Sequence, residues 1–184
     1  IVTQGFIASD ANNFTTTLGR EGSDYSAAIF AYCSNAKNVC VWKDVPGILN
    51  ADPRYFDNAT LLRSLSYEEA IELSYYGASV IHPKTLQPLQ RKEIPLFVKS
   101  FLKPEQVGTQ VGKGLQLTPN IPCYILRENQ ILISISSLDF SYIVEENISH
   151  IFNLLHSCRM KVHLIQNSAI SFSVCAENNF DNLE

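Results

Sequence analysis

Residues 15 to 28, TTTLGREGSDYSAA, set three threonines, two glycines, an arginine and an aspartate directly before an apolar run. Gly19 and Gly22 let a backbone approach a ligand closely. The free N–H groups at the start of the following helix suit an anion. Arg20 adds a planar fork that matches a carboxylate or a phosphate. Asp24 could stabilise the helix N-terminus, orient a cation or organise phosphoryl transfer. A plain surface turn with an acid at the first helical position accounts for the same residues, so the loop alone does not decide.

Two further segments carry chemistry. In VWKDVPGILNADPR, 41 to 54, a strand ends on Lys43-Asp44, turns at Pro46-Gly47 and leads to Asp52-Pro53-Arg54. Ligands of open α/β sheets sit beyond the carboxyl ends of strands, where this loop would lie. Lys43 and Arg54 would serve a polyphosphate, and a solvated loop with Asp52 starting a turn fits equally. In YYGASVIHPKT, 75 to 85, His82 stands before a proline at a helix–loop junction, a structural position. No Ser or Cys nucleophile motif accompanies it, so hydrolytic catalysis is not supported.

The elements that would position these residues alternate. Residues 1–7 read as a strand, 8–13 as a polar turn and 15–23 as a loop. A mostly apolar helix is predicted from Asp24 to about Asn35, capped by Ser23. Strands are predicted over 38–45 and 94–101. Between them lies a helix over 64–78, with a Ser66–Glu69 capping box and Gly77 as its stop, and a short helix in HPKTLQPLQRKE. This alternation indicates an α/β layer with a parallel sheet. KPEQVGTQVGKGLQLTPNIP has no apolar period and reads as a connection. Beyond it a strand (131–140), a helix (144–158) and two strands (161–168 and 169–178) form part of a ferredoxin-like βαββαβ unit.

Composition narrows the class. The 184 residues, 46% hydrophobic and 17% charged, describe an ordinary globular chain. A net charge of -4 without a basic stripe argues against nucleic acid. No apolar run reaches the roughly 20 residues of a membrane span. The scattered Cys33, Cys40, Cys123, Cys158 and Cys175 show no metal-ligand spacing and read as buried free thiols of a cytoplasmic protein. The sole methionine is Met160, and the chain opens on an apolar run, so an internal piece of a longer protein is expected.

Taken together, TTLGREGSDYSAA, VWKDVPGI with its DPR, GASVIHPKTLQPL and the later GTQVG resemble the carboxyl half of the aspartate kinase catalytic domain. The resemblance implies residues 1–112 of an amino-acid-kinase fold, a carbamate-kinase-like sandwich about a mostly parallel sheet. A linker over 113–120 and a partial, ferredoxin-like ACT regulatory domain (α+β) over 121–184 would follow. It implies transfer of the ATP γ-phosphoryl group, with Mg2+, to the β-carboxylate of L-aspartate. It places Arg20 on a substrate carboxylate, Ser23 beside the substrate, and Asp24 as the catalytic organiser. Lys43 and Asp44 fall at the adenine and ribose side, where many relatives have Thr-Asp, and Arg54 at the phosphates. Leu49 stands where a tyrosine often contacts the nucleotide; Ser79 and Val80 match a pair whose first member is often lysine.

The family's amino-terminal KFGGTS-type loop, with its catalytic lysine, is not among these residues. The 184 residues alone are therefore expected to be inactive. In the ACT-like part, Ser137, Asp139, His163, Gln166 and Asn167 are implied on the effector side. The acids that lysine-inhibited relatives often carry are replaced by His163 and Ala169. A homodimer through ACT sheets is implied as well. The alternative, from another class, is a non-catalytic ACT-containing regulatory subunit or effector-binding module.

Overall fold

The computed structural model describes residues 2–76 and 80–178. It forms two compact units, divided between Leu126 and Arg127. In the first, β1 (Ile7–Ser9) and β2 (Thr15–Thr17) make an antiparallel hairpin. Among the described residues strand pairing begins at Ile7, because Phe6 turns the backbone at φ 72°. Thr15–Thr17, read as loop, are paired instead with Ile7–Ser9. Helix α1 runs over Gly22–Ser34 with Glu21, in the left-handed region, as its N-cap. Ser23 is therefore not the cap but the second helical residue. Asn35, also left-handed, ends the helix, where its N–H reaches the Tyr32 carbonyl.

Val39 and Val41 are buried while Cys40 and Trp42 are exposed, and that alternation makes β3 (Val39–Lys43) a strand with one face on the core. A long loop leads to the short β4 (Ser64–Leu65) and to helix α2 (Tyr67–Tyr76). The capping box forms: Ser66 N–H donates to Glu69 Oε2 at 2.8 Å, and Glu69 N–H to Ser66 Oγ at 3.1 Å. Gly77 lies outside the described residues. Helix α3 (Pro83–Arg91) starts on His82, whose Nδ1 accepts from Lys84 N–H at 3.1 Å, so this histidine is an N-cap. Strand β5 (Leu96–Ser100) follows.

Residues 103–122 are not merely a connection, since β6 (Thr109–Val111) lies within them. A three-residue strand is too short to show a period of two. The four strands order as β3-β5-β6-β4, parallel in the outer two pairs and antiparallel between β5 and β6. Buried Ala28, Val41, Leu65, Leu86, Leu96 and Val111 fill the core. Leu117, Ile121 and Cys123 pack against it, which holds the stretch after β6 on the first unit.

In the second unit β7 (Gln130–Ser136) is followed by α4 (Glu145–Ser157), β8 (Val162–Asn167) and β9 (Ser171–Glu177). The sheet order is β7-β9-β8, with β9 antiparallel to both neighbours. That is a split βαβ arrangement, with β9 inserted between two strands that run the same way. Phe172, Val174 and Leu155 form its core, where Phe152 meets Phe172 edge-on at 5.7 Å.

All five cysteines are free, but Cys33, Cys40 and Cys158 are exposed rather than buried. Among the described residues no helix is long and apolar enough to cross a membrane.

Candidate functional site

Chain geometry explains how two sequence-distant charges meet. The 13 residues of α1 span roughly 20 Å and the 5 of β3 roughly 16 Å. A tight turn at Asn35–Asn38 folds one back along the other, so the first turn of α1 arrives beside the last residue of β3. Asp24 Oδ2 lies 2.6 Å from Lys43 Nζ, with side chains 14% and 23% exposed. The contact is a close ion pair without hydrogen-bond alignment, leaving Asp24 Oδ2 without a hydrogen-bond partner.

The loop before α1 is held tightly. Phe6 N–H donates to Ser26 Oγ at 3.0 Å, and Leu18 N–H to the Phe6 carbonyl at 2.8 Å. A Cβ on Gly22 would stand 2.8 Å from Leu18 Cβ and 3.0 Å from the Phe6 ring, so this close approach needs glycine. Arg20 and Ser23 are exposed on either side of the helix start. Glu21, which motif reasoning passed over, takes φ 56° and buries Oε2 without a partner. Its signal in the sequence was an acid between two residues of a glycine loop.

Beyond β3 a groove of about 470 Å³ opens, the size of a small-molecule site. Lys43, Asp44, Leu49, Arg54 and Val80 all line it, gathering five sequence-selected residues in one place. Ser79 lies outside the described residues. The floor is fixed by Thr109, whose Oγ1 accepts from Ile48 N–H at 2.8 Å and donates to the Leu62 carbonyl at 2.6 Å. Gly47, at φ 149°, passes so close that a Cβ would collide with that hydroxyl. Arg54 grips Asp52 with two nitrogens, Nε at 3.0 Å and Nη2 at 2.6 Å. The hydrogen bonds from Arg54 hold the Asp52 carboxyl below its usual range.

In the second unit Ser137, Gln166 and Asn167 fall toward one end of the sheet, since Ser136 pairs with Ser171 and Asn167 with Phe172. Asp139 accepts from Ser141 N–H and Oγ, which lowers its pKa, and Ser137 Oγ is buried without a partner. His163 stands at the opposite end. Its Nε2 is 2.9 Å from Glu177 Oε1, and its ring nitrogens are 2.8 Å from Arg127 Nη1. That half-buried network removes His163 from the other four residues.

The amino acid kinase family model matches residues 1–100. Lysine-sensitive aspartokinase 3 of Escherichia coli (strain K12) is 38% identical over 174 residues, covering 95% of this chain and 38% of that protein. The crystal structure of E. coli aspartokinase III with aspartate and ADP matches at TM-score 0.75 and 38% identity, over 95% of this chain and 39% of that one. The same enzyme with lysine and aspartate gives a TM-score of 0.72 over the same shares and at the same identity. The Clostridium acetobutylicum aspartate kinase gives 0.83 at 29% identity, over 95% and 40%. The chain spans about two fifths of the length of these similar proteins.

Proposed function

This chain belongs to the amino acid kinase family, and from that premise we propose that it supplies the substrate-clamp and nucleotide sides of an aspartate kinase. Such an enzyme moves the γ-phosphoryl group of ATP onto the β-carboxylate of L-aspartate. The observation that carries the reading is the Asp24–Lys43 pair, whose lysine also lines the groove with Asp44, Leu49, Arg54 and Val80. It ties the glycine-loop segment to the nucleotide-side segment in one place. The similarity to an enzyme crystallised with aspartate and ADP supports the same choice of ligands.

Phosphoryl transfer asks a protein mainly to position reactants and to neutralise charge on the transferred group. In this reading Arg20 clamps a carboxylate of aspartate, with Ser23 beside it. Asp24 organises the reacting groups, and Lys43 holds Asp24 in place. Lys43 and Asp44 face the adenine and ribose, while Arg54 turns from Asp52 toward the phosphates. Mg2+ bound to ATP would neutralise phosphate charge. Among the described residues no group of three His, Cys, Asp or Glu side chains could hold a metal. An ion of this kind is carried largely by phosphate oxygens and water.

The second unit is proposed to bind an amino-acid effector between the loop after β7, with Ser137 and Asp139, and Gln166-Asn167. The buried, unpartnered Ser137 hydroxyl supports that place. Among the described residues β7 and β8 each pair with one neighbour, so either edge offers a place to extend the sheet into a homodimer. Free thiols, three of them exposed, fit a reducing compartment such as the cytoplasm.

The test is ATP-dependent aspartyl-hydroxamate formation. The 184 residues alone should give none. Joined to the amino-terminal half of E. coli aspartokinase 3, they should give activity with aspartate that Asp24→Asn abolishes. A folded fusion whose activity ignores Asp24→Asn would overturn the assignment.

A further inference from the structure

The groove has a wall that no chemical motif announced. Tyr124, Ile125 and Leu126, the last residues of the first unit, line it together with Lys43, Asp44 and Arg54. They belong to a segment without regular secondary structure, yet it is pinned. Tyr124 N–H donates to the Asn50 carbonyl at 2.7 Å, and Asn50 Nδ2 donates to the Pro122 carbonyl at 3.0 Å. Phe56 stacks against the Tyr124 ring at 5.8 Å, with the planes 23° apart.

The wall's chemistry complements that of the rest of the lining. Tyr124 and Leu126 are 53% and 49% exposed, so they present apolar surface that water wets. Lys43, Asp44, Asn50, Asp52 and Arg54 supply the charged and polar lining. A ligand satisfying both has a flat, apolar-faced end and an anionic end. Resting on the aspartate kinase reading, we propose that Tyr124–Leu126 is the base-contacting wall of the nucleotide site and sets its preference for a nucleotide over bare polyphosphate. Pinning through Asn50 couples the two sides, because Asn50 sits between Leu49 and the Asp52–Arg54 pair on the phosphate loop. Asn50 Oδ1 also accepts from Thr60 N–H at 2.7 Å, which fixes the loop from its other flank. The wall is thus ready-made, and a base entering the groove orders little that is not already ordered.

The test uses the 184-residue chain and two substitutions, Tyr124→Ala and Leu126→Ser, titrated calorimetrically with Mg2+-ADP and with inorganic tripolyphosphate. Loss of an apolar contact of this size weakens ADP roughly fivefold or more. Tripolyphosphate affinity should stay within about twofold, because the cations are untouched. If the unsubstituted chain binds ADP and neither substitution weakens it, the wall assignment is wrong while the aspartate kinase reading stands. Equal weakening of both ligands, or a lowered melting temperature accounting for the change, gives the segment a structural role and overturns the inference. Failure of the folded, unsubstituted chain to bind ADP overturns the inference together with the nucleotide-site reading beneath it.

Discussion

Lys43 Nζ stands 2.6 Å from Asp24 Oδ2 and so joins the carboxyl end of β3 to the first turn of α1. Both side chains are mostly shielded from water, which strengthens their attraction and raises the cost of separating them. The pair places a carboxylate at a helix N-terminus, where the helix dipole favours it, with a cation on its other side.

Removing one partner should expose that cost. Lys43→Ala leaves Asp24 partly buried without its cation and should destabilise the first unit by about 1–3 kcal/mol in urea unfolding. Asp24→Asn should lower aspartyl-hydroxamate formation by the fusion about a hundredfold or more, with ADP affinity changed little. A matching loss of ADP affinity would place Asp24 on the nucleotide instead.

Thr109 ties the groove floor to the sheet through two buried hydrogen bonds. Thr109→Val keeps the shape but orphans Ile48 N–H and the Leu62 carbonyl, a cost of about 1–3 kcal/mol. The same substitution should weaken ADP, since Ile48 lines the groove. Thermal unfolding and titration on one sample separate the two effects.

Tyr67 is buried, its hydroxyl donates to the Ile94 carbonyl at 2.7 Å, and burial, then Glu93 and Glu68, push its pKa up to about 12. In the unfolded chain the phenol titrates near 10. The folded state therefore holds this proton more tightly. The stability it contributes is complete below about pH 10 and is lost as pH rises through about 12. Urea midpoints measured from pH 9 to 12 should fall, and Tyr67→Phe should flatten that fall after a uniform loss of about 1 kcal/mol.

Glu21 occupies the left-handed region at φ 56° and buries a carboxylate oxygen without a partner. Glu21→Gly removes both costs and should stabilise the chain by roughly 0.5–1 kcal/mol, seen as a higher melting temperature. An unchanged or lower melting temperature would mean that the carboxylate has a compensating contact.

Much of this was legible in residue order. The valine-rich run at 38–45, the Ser66–Glu69 box and the helical spacing of Ile148, Phe152 and Leu155 each carry a local signal, and each element forms where that signal lies. The pieces that escaped depend on distant partners. Thr15–Thr17 is a strand only because Ile7–Ser9 lies beside it, and Thr109–Val111 only because β5 and β4 flank it. The α1 cap moved to Glu21 because the backbone enters from the left-handed region, which side-chain preference for Ser does not reveal. For the candidate site, Lys43 and Arg54 were legible as cations in a loop beyond a strand, whereas Asp44 and Leu49 were reached only through the family resemblance. Tyr124 could not be found that way, because its place depends on Asn50 and Phe56, more than sixty residues earlier.

The most direct test is to follow the chain's amide resonances while Mg2+-ADP is added. Shifts concentrated in Lys43–Arg54, Val80 and Tyr124–Leu126 are expected, with saturation at one nucleotide per chain. A folded chain whose resonances in those segments stay unmoved, or move only elsewhere, would contradict the nucleotide site and the aspartate kinase reading built on it.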